Sequence, residues 1–270
     1  IGYTMVYGIL RLINFAHGDI FMMAGFFMVY ISASMPMAVA IPVVLIMTVA
    51  LGLLIERAAY KPLRSAPRMS VMISAIGVSY LLQNLATYIT GGLARPYPEI
   101  PFLKGSFMLG ALKIKVITVV TPLLTILLVI ALVIFINHTK TGMAMRAVSR
   151  DFDTARLMGI KVNNIISVTF IIGSFLAGVG SILYFSNYGQ VSPTIGAMPG
   201  LKAFVAAVFG GIGSIPGAVL GAYIIGICES LIKSNNSIAI FSNAFTFALM
   251  ILVLLFKPNG MFGEKLAEKV

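Results

Sequence analysis

An all-α polytopic membrane protein of about eight or nine transmembrane helices, including a short or broken glycine-rich segment, is the fold this sequence predicts. Three observations predict it. Hydrophobic residues make up 59% of the 270 and charged residues only 10%, against about 25% charged in soluble domains. Mean hydropathy is +1.02. The apolar residues also fall in runs close to the ~20 that a helix needs to cross a bilayer, not in the alternating segments of a strand barrel. So few charges cannot cover a water-facing surface, which excludes a soluble enzyme, a disordered tail and a disulfide-rich secreted module. Residues 1–270 read as a single multi-pass membrane domain, with lipid as its solvent.

In chain order, Ile1–Phe15 reads as a span entered part-way, so a further N-terminal piece is expected. Ile20–Ser34 is apolar but short. Pro36–Ile55, Met69–Thr90, Val116–Asn137, Asn163–Phe185 and Ile238–Phe256 are clear spans. Gly200–Gly213 and Pro216–Lys233 form a pair broken by the run Gly210-Gly211-Ile212-Gly213-Ser214-Ile215-Pro216-Gly217. The first of the two spans poorly by length, so a half-helix or a tilted helix is expected, of the kind that lines a pathway. Between the second and third clear spans, Gly91–Lys115 carries three prolines and then alternates as Leu112-Lys113-Ile114-Lys115-Val116, which predicts an extended, partly strand-like cap.

The formal charge is +11, from 19 Lys and Arg against 8 Asp and Glu. Nucleic acid would need a clustered basic face, and none is legible. Basic residues instead mark cytoplasmic loops. Residues 56–68 hold four, 138–162 hold five, the tail from Lys257 holds three, and Arg11 makes thirteen, against six on the opposite side. The lone Cys228 rules out an internal disulfide and a thiol metal site.

The inner segment 138–162 is too charged to span. From Thr141 to Ile160 its apolar residues Met145, Val148, Phe152, Ala155 and Met158 recur at helical spacing. Arg146, Arg150 and Asp153 fall on the other face, and Asp153 can reach Arg156 three residues on. Gly142 is placed to break the preceding span and Gly159 to end the helix. The segment therefore reads as a short amphipathic helix across the inner mouth. An interfacial helix anchored only in headgroups has the same periodicity, although its polar face would carry cations without paired acids.

Four motifs, in order and at the expected spacing, then give a resemblance that spans the chain. Gly142-x3-Arg146-Ala147-x5-Asp153-x-Ala155-x2-Met158-Gly159-Ile160 resembles the loop by which permease subunits of ABC importers engage their ATPases. Tyr7-Gly8-Ile9-Leu10-Arg11-Leu12-Ile13-Asn14-Phe15-Ala16-His17-Gly18-Asp19 is similar to the N-terminal signature of LivH-type permeases for branched-chain amino acids. Phe209–Ala218 resembles that family's glycine-rich break, and Leu255-Phe256-Lys257-Pro258-Asn259-Gly260-Met261-Phe262-Gly263 its closing motif. The resemblance implies an importer with a LivM-like permease partner, two ABC ATPase subunits inside and an extracytoplasmic substrate-binding protein. ATP and Mg would belong to the ATPases. Leucine, isoleucine or valine would be the cargo, although urea and short-chain amide importers share these motifs. Phe152 and Met158 would then be apolar anchors on an ATPase, with Arg146 and Asp153 fixing orientation.

Other polar residues carry two readings each. Asn14 and His17 read as hydrogen-bonding freed backbone at a helix break, with Gly18 and Asp19 beside them and a substrate-facing bend as the alternative. His17-x-Asp19 lacks the further ligands of a metal site. Gln83 and Asn84 either line a pathway or make interhelical hydrogen bonds. Gly210, Gly211 and Gly213 mark the second possible break. Glu229 and Lys233 pair at i, i+4, and Gly217-xxx-Gly221, Gly173-xxx-Ala177 and Ser174-xxx-Gly178 offer small faces for close helix packing. No nucleophile–base set is present, and no Gly-x4-Gly-Lys-Ser/Thr loop to hold ATP. A secondary transporter driven by protons or Na⁺ would want carboxylates deep in the membrane, where only Asp19 and Glu229 are available.

Overall fold

The computed structural model describes residues 1–10, 14–64, 66–109, 112–211, 213–257 and 260–261. Arg11, Leu12, Ile13, Ile212, Pro258, Asn259, Phe262 and Gly263 of the motifs lie outside the described residues, as do Lys265 and Lys269 of the charge count. The helices are α1 (Gly2–Leu10), α2 (His17–Ser32), α3 (Met37–Ile55), α4 (Arg68–Thr90), α5 (Val116–His138), α6 (Lys140–Arg150), α7 (Phe152–Leu157), α8 (Val162–Tyr188), α9 (Ala197–Gly210), α10 (Ile215–Ser234) and α11 (Ser242–Phe256). A π-helical turn, Glu56–Tyr60, prolongs α3, and a 3₁₀ turn, Ala239–Phe241, leads into α11.

Among the described residues, six helices are long and apolar enough to cross a membrane, and two more, His17–Ser32 and Ala197–Gly210, are apolar but shorter. Each predicted span overlaps one described helix, with α1 covering only Gly2–Leu10 of Ile1–Phe15. The protein is helical and polytopic in kind, with two small ribbons added. Arg95–Pro96 (β1) pairs antiparallel with Gln190–Val191 (β4), and Ser106–Leu109 (β2) with Leu112–Lys115 (β3). The β2–β3 hairpin is the strand-like cap expected from the alternation. The β1–β4 ribbon has no such signal, because two-residue strands carry no period.

Hydropathy makes every span look alike, whereas packing ranks them. In its span window α8 is 56% buried within the chain and α5 only 6%, so α8 is the central post and α5 lies at the periphery. Small residues let the other helices approach α8. Gly173 meets Val6 of α1, Gly178 meets Leu45 and Thr48 of α3, and Gly52 of α3 leaves no room for a Cβ beside the Ser174 side chain. The predicted small faces of α8 and α10 are thus packing faces. Gly217 and Gly221 bring α10 against the Gly210 and Ala206 backbone of α9.

The ends of the bundle sort in the order the charges suggest. The turn after Tyr60 and the base of α8 meet through Arg64 and Asn163, while the β1–β4 ribbon ties the 91–115 cap to the α8–α9 connection at the far end. Gly260 packs on Gly211, and the Met261 amide donates to the Phe209 carbonyl.

Candidate functional site

Two regions hold the residues singled out by sequence. The first is the charged segment between α5 and α8. It is not one helix but two. Asp151 adopts an extended backbone (φ −157°, ψ 119°), ending α6, and its Oδ1 accepts the amides of Asp153 and Thr154 at 2.9 Å to cap α7. The unbroken period drawn from Met145 to Met158 therefore loses its phase at Asp151. Met145, Val148 and Ala155 are buried as that period predicts. Phe152 is half-buried against the core, and Met158 is 78% exposed beside Leu157 at 88%. The free apolar tip is therefore Leu157 and Met158, not Phe152 and Met158. Leu157 escapes the sequence reading because it falls off the 3–4 spacing once the cap at Asp151 goes unrecognised. An aspartate opening a short apolar helix is the signal that reveals it.

The glycines at either end act as follows. Gly142 does not break the preceding span: α5 ends at His138, and Thr139 (ψ 154°) makes the turn and caps α6 by accepting the Gly142 amide at 3.0 Å. Gly142 is needed instead because a Cβ there would strike the Phe135 and Ile136 carbonyls. Gly159 closes α7 with φ +80°. Its amide donates to the Arg156 carbonyl at 2.9 Å and the Ile160 amide to Ala155 at 3.0 Å, a Schellman pair. Asp153 reaches Arg156 at 3.6 Å, both exposed. Arg146 is exposed, with Nη1 and Nη2 donating to Asn137 at 3.4 Å. Ala147 lies between the faces.

The second region is where α2 and α9 begin. A bend at Asn14–Ala16 leads into α2, and His17, Gly18 and Asp19 form the first turn of α2 and do not break it. Asn14 is buried, and its Oδ1 accepts from the Tyr60 hydroxyl at 2.8 Å; it bonds the π turn, not freed backbone. Its Nδ2 is buried without a partner among the described residues. The His17 imidazole stands edge-on to Tyr3, ring centroids 5.9 Å apart. Gly18 and Gly196 press backbone to backbone, so the first turns of α2 and α9 meet with no room for a side chain on either.

Next to this junction lies a cavity of about 250 Å³ lined by Tyr3, His17, Gly18, Phe21, Gly200 and Ala203, among others. α9 is 14 residues long and ends at Gly210. Gly211 (φ 107°) and Gly213 (φ 91°) then turn the chain into α10 in a conformation that L side chains rarely adopt. The expected short helix and glycine break are both present.

Asp19 and Gln83, treated separately in sequence, are partners. Asp19 is 1% exposed, and its carboxylate accepts from Ser79 Oγ at 2.5 Å and Gln83 Nε2 at 3.1 Å. Gln83 thus takes the interhelical reading. Asn84 lies on the exposed face of α4 and donates to the Tyr80 carbonyl of its own helix at 2.8 Å. Glu229 pairs with Lys233 at 2.5 Å as expected and also with Lys202 of α9 at 2.7 Å. Lys202, one of the six basic residues counted on the opposite side, reaches Glu229 because α9 folds back beside α10.

The chain matches a family model described as the permease component of branched-chain amino acid transport systems over residues 1–254. LivH of Escherichia coli K12, a high-affinity branched-chain amino acid transport system permease protein, is 39% identical, with 100% of this chain and 92% of that protein covered. BraD of Pseudomonas aeruginosa, described in the same words, is 40% identical at the same coverage. A probable LivH of Methanocaldococcus jannaschii is 28% identical over 97% of this chain and 87% of its own length. No solved structure matches the chain at a significant level. A match running through all the helices described above, the short α9 and the α6–α7 pair included, is decisive: the chain belongs to the permease-component family of branched-chain amino acid transport systems.

Proposed function

We propose that this chain is a permease subunit of an ABC importer that moves branched-chain amino acids inward across the cytoplasmic membrane. The observation that carries the proposal is its relatedness, over all of its length, to the branched-chain amino acid permeases LivH and BraD. In this reading the α6–α7 pair faces the cytoplasm and docks on an ABC ATPase. Leu157 and Met158 insert as apolar anchors, and Arg146 and Asp153 set orientation from the exposed face. A LivM-like subunit completes the permease, a second ATPase sits below it, and a substrate-binding protein meets the β2–β3 cap outside. ATP and Mg are held by the ATPases. The membrane crossings number eight or nine, α2 and α9 being shorter than the six long helices.

The cavity suits apolar cargo, being lined mainly by small and aliphatic side chains with His17 and Tyr3 at one wall. A buried carboxylate such as Asp19 is what an ion-coupled carrier would use. It is less apt for that role because Ser79 and Gln83 already satisfy it and fix it between two helices.

The test is uptake of radiolabelled leucine against urea by the reconstituted complex with ATP and the binding protein. Leucine uptake at least tenfold above urea supports the proposal. Preference for urea transfers the chain to the amide importers, and uptake without ATPases but with a proton gradient removes it from the ABC class.

A further inference from the structure

The π-helical turn at the end of α3 joins both regions of the candidate site. Glu56 opens it and is wholly buried. Its carboxylate is paired with Arg64 and accepts from Ser167 Oγ at 3.1 Å. Arg64 in turn donates to Asn163 Oδ1. One acid and one guanidinium therefore clamp the end of α3 to the base of α8, six residues after Leu157 at the exposed tip. Arg156 of α7 acts on the same guanidinium by charge, against the attraction of Glu56. Four residues after Glu56, Tyr60 reaches the other way. Its hydroxyl donates to Asn14 in the bend before α2, and its ring packs on Phe170 of α8 at 5.2 Å. That bend leads directly to His17 and Gly18 at the cavity wall. Wide π turns within α-helices recur at functional sites, and this one points Tyr60 at the buried Asn14 and the buried Glu56 carboxylate at the half-buried Arg64 and Ser167.

We propose that the turn Glu56–Tyr60 is the mechanical joint between the α6–α7 pair and the cavity wall, with Glu56, Arg64 and Tyr60 as positioning residues for transport. The inference rests on the reading of α6–α7 as the ATPase-docking pair. A push on α7 reaches Asn163 and Ser167 through the short 158–161 connection, and the clamp carries it to the turn. An ion pair whose acid is buried, tied to Ser167 and Asn163 of α8, moves as a unit, because separating it strands the Glu56 charge in apolar surroundings. The Tyr60–Asn14 hydrogen bond then shifts the start of α2.

The experiment uses the whole complex in nanodiscs, with a single cysteine at Ala203 on the cavity wall in a Cys228→Ser background. It reads nucleotide-driven change in cysteine labelling, ATP hydrolysed, and leucine taken up. Glu56→Gln and the near-isosteric Tyr60→Phe are expected to keep the ATPases bound and hydrolysis within twofold. The labelling change and uptake are expected to fall at least tenfold. The exchanged pair Glu56→Arg with Arg64→Glu is expected to restore at least a third of the labelling change. A merely structural role predicts parallel loss of hydrolysis and uptake, and no rescue by the exchange; that result overturns the joint. An unchanged labelling response in Tyr60→Phe and Glu56→Gln overturns it as well, even if Leu157→Asp releases the ATPases and so upholds the docking reading. ATPases that stay bound to Leu157→Asp sink the docking reading and the joint together.

Discussion

Asp19 shows how one buried carboxylate organises its surroundings. An acid among apolar helices is costly unless donors meet it, and Ser79 and Gln83 of α4 are those donors. Asp19→Ala is therefore expected to loosen α2 from α4 and lower stability by about 1–3 kcal/mol, the cost of stranding buried polar groups. Asp19→Asn, which keeps an acceptor for Gln83, is expected to lose less than half as much. Thermal unfolding of the purified protein in detergent measures both, and equal losses would contradict the hydrogen-bond account. Sequence had placed Asp19 and Gln83 on separate lists, since nothing in one chain's order says that residues 64 apart share a bond. The Asp153–Arg156 and Glu229–Lys233 pairs were legible because helical spacing alone brings such residues together.

Elements carry the next level of prediction. α7 is six residues long and too short to persist without its ends, since helix nucleation is unfavourable. The Asp151 cap is worth about 1 kcal/mol, so Asp151→Ala is expected to fray α7 and weaken ATPase co-purification roughly fivefold with the membrane helices intact. Leu157→Asp, which leaves the cap alone, is expected to abolish co-purification, and Phe152→Ala to lower stability by disturbing the core beneath α6 and α7. If Phe152→Ala instead releases the ATPases at full stability, Phe152 is the anchor and the tip is not. Between α9 and α10, Gly217→Leu forces a side chain into the Gly210 backbone. The strain expected is about 1–3 kcal/mol or more, visible as reduced yield and earlier thermal unfolding. The small-residue spacing advertised that contact, whereas the break of α6 from α7 needed the backbone at Asp151 to reveal it.

At the scale of the whole molecule, the two ends of the bundle make a sidedness prediction. In a Cys228→Ser background, a cysteine at Leu157 is expected to react with an impermeant thiol reagent only in inside-out vesicles. One at Lys113 of the β2–β3 hairpin is expected to react only in right-side-out cells. Labelling of both from one side would overturn the topology. Sequence by itself determined the solvent, the helices and their approximate ends, because apolar run length and basic-residue bias are local, additive quantities. It also located the small faces and the glycine turn. Only the tertiary structure decided which helix is central, which polar groups meet, and where the cavity lies. Those outcomes depend on backbones approaching through Gly18, Gly52, Gly196 and Gly217 and on donors finding acceptors across helices. A linear pattern states what each residue can do, while the packed chain settles which partner it has.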